Sequence, residues 1–231
     1  MDHIYKFSPS DFAFGYQGCK RCYYDSKVKN ITLTTRFPSV FSKLDKLQKN
    51  FYNNKSSKII DSSLDEGVII TEDAGRTQKS KVLKDQKGRS FFLSGKLDAY
   101  IKHTDSYTIV DFKVTDITPK SIESYRSQLQ CYSLLFENPD DKSLRLSPVK
   151  GLGIFCFEPN KIEFINKVPL FNMYTKYYEI EKNDEKILAY VTEVIDFLEN
   201  KTIPKFSEKC NICEYKKNLT LEFNNKLFYK L

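Results

Sequence analysis

Gly95-Lys96-Leu97-Asp98, followed after a short polar link by Ile109-Val110-Asp111-Phe112-Lys113, is the stretch from which the rest of the 231-residue chain can be read. β-Branched and aromatic residues dominate Phe91 to Ile101 and Tyr107 to Thr115, and Asp105 and Ser106 sit between them, so the pattern predicts a hairpin. Side chains alternate faces along a strand, which puts Asp111 and Lys113 on one side and Phe112 in the opposite layer. Across a short hairpin Asp98 reaches the same side. Two carboxylates there make a hard oxygen seat for Mg²⁺ or Mn²⁺, and a lysine beside them can orient a water and stabilise negative charge growing on phosphorus. These residue types in this order suit phosphodiester hydrolysis.

Downstream, Pro119 opens a predicted helix in which Ile122, Tyr125, Leu129, Tyr132 and Phe136 recur every three or four residues. Gln128 and Tyr132 share one edge of it and are expected to project over the strand ends, toward a phosphate or a metal-bound water. A lone D-x-K on a strand is most often a solvated face. Preceded by G-x-x-D and followed by a helix with Q-L-x-x-Y, it resembles the RecB-like branch of the PD-(D/E)XK nuclease superfamily, which includes CRISPR-associated exonucleases and the nuclease domains of bacterial recombination helicases. The resemblance runs from about Ser8 to Phe136 and takes in the C-terminal cysteines.

It implies that Asp98, Asp111 and Lys113 bind metal and catalyse, with Gln128 and Tyr132 in support. Members of that branch often carry a further histidine or acidic metal ligand on a helix before the core strands. Neither His3 nor His103 lies there. Asp45, on a predicted helix opened by Pro38 and Ser39, is the stand-in, with Glu66 and Glu72 as alternatives. The apolar residues Phe41, Leu44, Leu47 and Phe51 of that helix are expected to be buried, with Lys43, Lys46 and Lys49 facing away.

Two C-x-x-C pairs stand near the ends of the chain, Cys19 with Cys22 and Cys210 with Cys213. Four thiolates satisfy either tetrahedral Zn²⁺ or a [4Fe–4S] cluster. The resemblance implies iron–sulfur, although that branch commonly splits its cysteines one and three, not two and two. Cys131 and Cys156 fall on apolar elements and are expected in the core.

The 37 Lys and Arg against 30 Asp and Glu give a net charge of +7, which favours a polyanionic partner. Lys20, Arg21, Lys27 and Lys29, interleaved with Tyr23 and Tyr24, suit either phosphate contact with base stacking or the solvated rim of a metal site. A second basic run from Arg76 to Arg89 reads as a soluble loop. The start of the chain has no basic-then-apolar pattern and no run is long enough to cross a bilayer, so an intracellular, cytoplasmic protein without membrane contact is expected.

The expected architecture is α/β: one restriction-endonuclease-like domain over residues 1–231, its catalytic core about 39–168. A central mixed β-sheet is flanked by the Pro119 helix and an Asp184 to Asn200 helix, and the termini are joined by the four-cysteine site. Strands at Gly151 to Phe157 and Lys161 to Val168 are expected to extend the sheet. The implied function is Mg²⁺- or Mn²⁺-dependent DNA hydrolysis, an exonuclease action on single strands or ends in repair. No G-x-x-x-x-G-K-S/T motif occurs, so unwinding would need a helicase or other recombination partner. The rivals are a catalytically inactive nucleic-acid-binding module and a zinc-clipped interaction protein.

Overall fold

The computed structural model describes residues 3–32, 38–73, 75–200 and 202–228, without the side chains of Ser121 and of residues 220–228. Its centre is β7 (Tyr107–Val114), whose residues Thr108 to Phe112 are buried on both faces. A strand covered on both sides must pair on both edges. β7 does so with β6 (Ala99–Lys102), antiparallel, and β8 (Val149–Ile165), parallel. The parallel pairing needs a crossover, supplied by α3 (Pro119–Glu137), whose Leu129, Tyr132 and Phe136 are buried. β2 (Val68–Ile70) and β9 (Val168–Ile180) complete the sheet in the order β2-β6-β7-β8-β9.

The expected Phe91 to Ile101 strand is divided. Its first half, β5 (Ser90–Gly95), belongs to a second, smaller sheet, parallel to β1 (Ile4–Phe7) and antiparallel to β3 (Gln78–Lys79) and β4 (Leu83–Lys84). Its second half is β6. Asp98 therefore lies in the break between two sheets, where the backbone is free of ladder bonds, and not on a strand. The mixed α/β class stands, but one central sheet has become two that share a core. Phe7, Phe91 and Leu93 pack in one cluster with Ile109, Leu152, Leu129 and Val191.

All three expected helices form, but the expected burial of one of them does not. α3 and α4 (Asp184–Glu199) fall where the periodicity places them, α4 started by the Asn183 side chain accepting from the Lys186 N–H at 2.8 Å. In α2 (Ser39–Tyr52), however, Phe41, Leu47 and Phe51 are 38%, 64% and 53% exposed, and the expected buried face is not formed. The helix is docked by its last residue together with the Lys49–Asp98 ion pair at 2.8 Å. Tyr52 packs its ring 5.3–5.9 Å from those of Phe112, Phe155 and Phe157 on the far side of the sheet, and this docking turns Asp45, Gln48 and Lys49 toward the strand ends.

The expected strand at Lys161 to Val168 is also corrected. β8 continues unbroken to Ile165, and the chain reverses at Asn166 and Lys167, both at positive φ (50° and 65°), as a two-residue hairpin turn requires. Lys161 to Ile165 is the end of β8 and not a separate strand, and Val168 already opens β9 on the other side of the turn. Two further helices, α1 (Lys20–Lys29) and α5 (Asn211–Phe228), carry the cysteine pairs. Among the described residues, no helix is long and apolar enough to cross a membrane.

Gly153 sits on β8 beneath the Tyr177 ring of β9, where an added Cβ would stand 2.1 Å from Tyr177 Oη. Gly153→Ala is expected to push that ring off the sheet and to cost about 1–3 kcal/mol in chemical denaturation. An unchanged midpoint would show that the ring yields freely.

Candidate active site and cysteine cluster

Ala99 pairs with Val110 across the β6–β7 ladder, which brings the residue before β6 beside the end of β7. Asp98 is fixed there by the Phe112 backbone N–H donating to its Oδ2 at 3.2 Å. Asp111 is 1% exposed and faces the α3 side, while Phe112 points into the opposite layer. Lys113 Nζ meets Asp111 Oδ2 at 2.5 Å and lies 5.0 Å from the centre of the Tyr125 ring. Asp98, Lys113 and Tyr125 line a cleft of about 520 Å³ together with Asp45, Gln48 and Phe14.

The electrostatics show two carboxylates crowded into one buried place. The Asp111 carboxyl is pushed up to about 7, chiefly by burial and further by the neighbouring Asp98 charge, with Lys113 pulling the other way. Asp98 is held below the usual carboxylate range: burial opposes this, but Lys113 and Lys49 outweigh it. For Lys113, burial works against the charged form, and the Asp111 and Asp98 carboxylates raise it nonetheless.

Asp45 is at the cleft but is not brought into a common ligand group with Asp98 and Asp111. Lys49 stands between, 2.7 Å from Asp45 Oδ1 and 2.8 Å from Asp98 Oδ1. Of the alternatives, Glu72 shares a hollow with Asp45 and Lys49, while Glu66 is turned away, accepting from Ser56 Oγ at 2.8 Å. Gln128 and Tyr132 do lie on one edge of α3, but both are buried. Tyr132 Oη donates to the Lys96 carbonyl at 2.6 Å and Gln128 Nε2 donates to Tyr132 Oη at 3.3 Å. They brace the backbone leading into Asp98.

The cysteines converge as expected. Cys19 caps α1 and Cys22 lies in its first turn; Cys210 immediately precedes α5 and Cys213 lies in its first turn. All four sulfurs are within 4.8 Å of one another, and among the described residues this is the group of three or more such ligands gathered closely enough to hold one ion. The basic residues around Cys19 are engaged within the chain. Arg21 and Lys29 pair with buried Asp25, as does Lys216 from α5, and Lys27 pairs with Asp11. Tyr23 and Tyr24 are 4% and 7% exposed, so they are core residues and not a stacking platform. Of the second basic run, Lys87 and Arg89 are engaged within the chain, Lys87 with Asp196 and Arg89 with Asp85 and Glu199, while Arg76 is exposed. Cys131 and Cys156 are fully buried in the core.

The sequence matches the family model described as the PD-(D/E)XK nuclease superfamily over residues 30–217. The chain belongs to the PD-(D/E)XK nuclease superfamily. Its fold is similar to the crystal structure of SSO0001, with TM-score 0.52 and 14% identity over 94% of this chain and 86% of that one. It also resembles an alkaline exonuclease, LHK-Exo from Laribacter hongkongensis, with TM-score 0.41 and 12% identity over 96% and 94% of the two chains. No curated protein matches.

Members of the PD-(D/E)XK superfamily are typically metal-dependent hydrolases, and the donors here fit a divalent cation. Two buried carboxylates that raise one another's cost of ionisation are relieved by a cation placed between them. A pH signature follows. The folded Asp111 carboxyl at about 7 lies above the ordinary unfolded value of 3.8, so in that interval the folded state keeps a proton that the unfolded state has lost. Stability from this group is therefore full below about pH 4 and is lost as pH rises through 7. Thermal melts without added divalent metal are expected to show this fall and Asp111→Asn to flatten it; added Mn²⁺ should raise Tm more at pH 8 than at pH 5.

Three residues that the sequence pattern does not mark as site candidates stand at the cleft: Lys49, paired with Asp98, and Gln48 and Phe14, which line it. Lys49 carried a signal, since it stands four residues after Asp45 on one helix face. Phe14 carried none, because its place at the cleft depends on packing between distant segments.

Proposed function

We propose that this chain is an Mg²⁺- or Mn²⁺-dependent deoxyribonuclease that hydrolyses DNA phosphodiester bonds, acting as an exonuclease on single strands or ends. The observation that carries this reading is the juxtaposition of the Asp98 carboxylate and the Lys113 ammonium, which line the cleft, with the buried Asp111 carboxyl that Lys113 meets at 2.5 Å. Asp98 and Asp111 would hold the divalent ion, which when bound supplies Lewis-acid polarisation of the phosphate and a more acidic water. Lys113 Nζ would hold the attacking water by hydrogen bond and neutralise charge gathering on the phosphoryl oxygens. Tyr132 and Gln128 act as positioning residues, fixing the Lys96 to Asp98 backbone. Opening of duplex ends would fall to a helicase or another recombination or repair partner.

Preference for single strands is supported by the aromatic wall. Phe14 is 48% exposed, its ring 5.5 Å from that of Tyr125, which in turn flanks Lys113. An unstacked base can lie on such a ring, whereas bases inside a duplex are already covered. Phe14→Leu is expected to weaken single-strand binding about tenfold and Phe14→Tyr to preserve it, measured by fluorescence anisotropy in Ca²⁺. Equal binding by all three proteins would remove the stacking role without touching the hydrolytic one.

The deciding experiment is cleavage of labelled single- and double-stranded DNA, with RNA in parallel, under added Mg²⁺, Mn²⁺ or neither. Metal-dependent release of terminal nucleotides from single-stranded DNA is expected, and absence of cleavage under every condition would overturn the proposal. One feature favours the second reading, a nucleic-acid-binding module without catalysis: Lys49 Nζ bridges Asp45 and Asp98 where a third carboxylate ligand would otherwise approach. On that reading Mn²⁺ leaves Tm unchanged, and DNA binds without being cut.

A further inference from the structure

The four thiolates are too close together for an iron–sulfur cube and are spaced for a single ion. Cys19 Sγ lies 3.5 Å from Cys213 Sγ, and Cys22 Sγ lies 3.7 Å from both Cys210 Sγ and Cys213 Sγ. A tetrahedral zinc with bonds of about 2.3 Å to sulfur places its four ligands about 3.8 Å apart. In a [4Fe–4S] cluster each thiolate binds a different iron, so the sulfurs must stand around the whole inorganic cube and well beyond the 4.8 Å within which all four lie here. The sequence resemblance implied iron–sulfur, and the ligand geometry does not fit it.

We infer that Cys19, Cys22, Cys210 and Cys213 form a mononuclear, tetrahedral, structural zinc site that fastens α1 to α5. Two independent features agree with the spacing. The two-and-two arrangement places each C-x-x-C pair at the start of a helix, where backbone N–H groups point at sulfur: those of Ile212 and Cys213 both donate to Cys210. Such turns satisfy the charge of thiolates on one small ion from both sides. The two helices are also locked together without the ion, by Asp25 on α1 accepting from Lys216 on α5 at 3.0 Å. This leaves Cys213 fully buried and gives the sulfurs little freedom to spread around a larger group. With four protein ligands the site has no open position, so its role is structural and the hydrolytic cleft is a separate place.

The test uses full-length protein purified both anaerobically and in air, with metal content, acid-labile sulfide and the visible spectrum measured. About one zinc per chain, no labile sulfide and a colourless preparation are expected from both. Exchange for Co²⁺ should give the intense visible bands of a tetrahedral thiolate site. Asp98→Ala/Asp111→Ala should keep the zinc and Cys22→Ser/Cys210→Ser should lose it, which separates this site from the cleft. A brown anaerobic preparation with iron and sulfide in equal amounts would overturn the inference. So would a folded wild-type protein that carries no metal, or zinc retained by the cysteine double variant.

Discussion

Lys113→Met is expected to lower kcat/KM for single-stranded DNA in Mg²⁺ by roughly 10²–10³-fold, and Asp111→Asn to bring cleavage to background. The two losses have different origins. Methionine keeps the length of the buried stem but removes the ammonium that lies 2.5 Å from Asp111 and faces the cleft, so charge on the phosphoryl group goes unanswered. Asparagine fills the volume of Asp111 but cannot supply the anionic oxygen a divalent ion requires. The stability effects run the other way for the second variant: without metal, Asp111→Asn relieves the Asp98–Asp111 repulsion and should melt higher than wild type at pH 8. Activity within tenfold of wild type in both variants would refute the assignment of the cleft.

Cys213→Ser is expected to lower Tm by roughly 10 °C or more and to release the bound metal, corresponding to several kcal/mol at about 2–4 °C per kcal/mol for a chain of this size. The reason is topological as well as chemical. The cluster joins residues 19 and 22 to residues 210 and 213, so an ion held there would close most of the chain into one loop and offset the cost of ordering it. Cys213 is also the sulfur in contact with both N-terminal partners, at 3.5 and 3.7 Å. Cys156→Ala is the matching control, because that thiol is equally buried but belongs to the β8 core, and should cost about 1–2 kcal/mol without loss of metal. Equal melting of the two variants would mean that the cluster does not hold the ends together.

The parts of the fold written in local pattern were readable beforehand. β7 shows as a run of Ile109, Val110 and Phe112 between polar links, and α3 and α4 show as apolar stripes at helical spacing, since alternation and 3.6-residue recurrence follow from backbone geometry alone. Failures came where burial is set by a distant partner. The stripe of α2 predicts a buried face, yet the packing of Tyr52 on the Phe112–Phe155–Phe157 cluster and the Lys49–Asp98 ion pair dock that helix. The basic, tyrosine-rich segment after Cys19 suits either nucleic-acid contact or the rim of a metal site by its pattern, yet its own Asp25, with Asp11 and Phe197 from other segments, engages it.

The sequence by itself determined the α/β class, the identity of the chemical groups on β7, and the presence of four paired cysteine ligands, because each is carried by residues close together along the chain. Only the tertiary structure decided the rest. It placed Asp98 in the break between two sheets beside Asp111, put Lys49 between Asp45 and Asp98, and made Phe14 a wall of the cleft. It also brought the four thiolates within 4.8 Å of one another. Each of these depends on the distance between groups remote in sequence, which is fixed by packing of the shared core and not by any local preference of the chain.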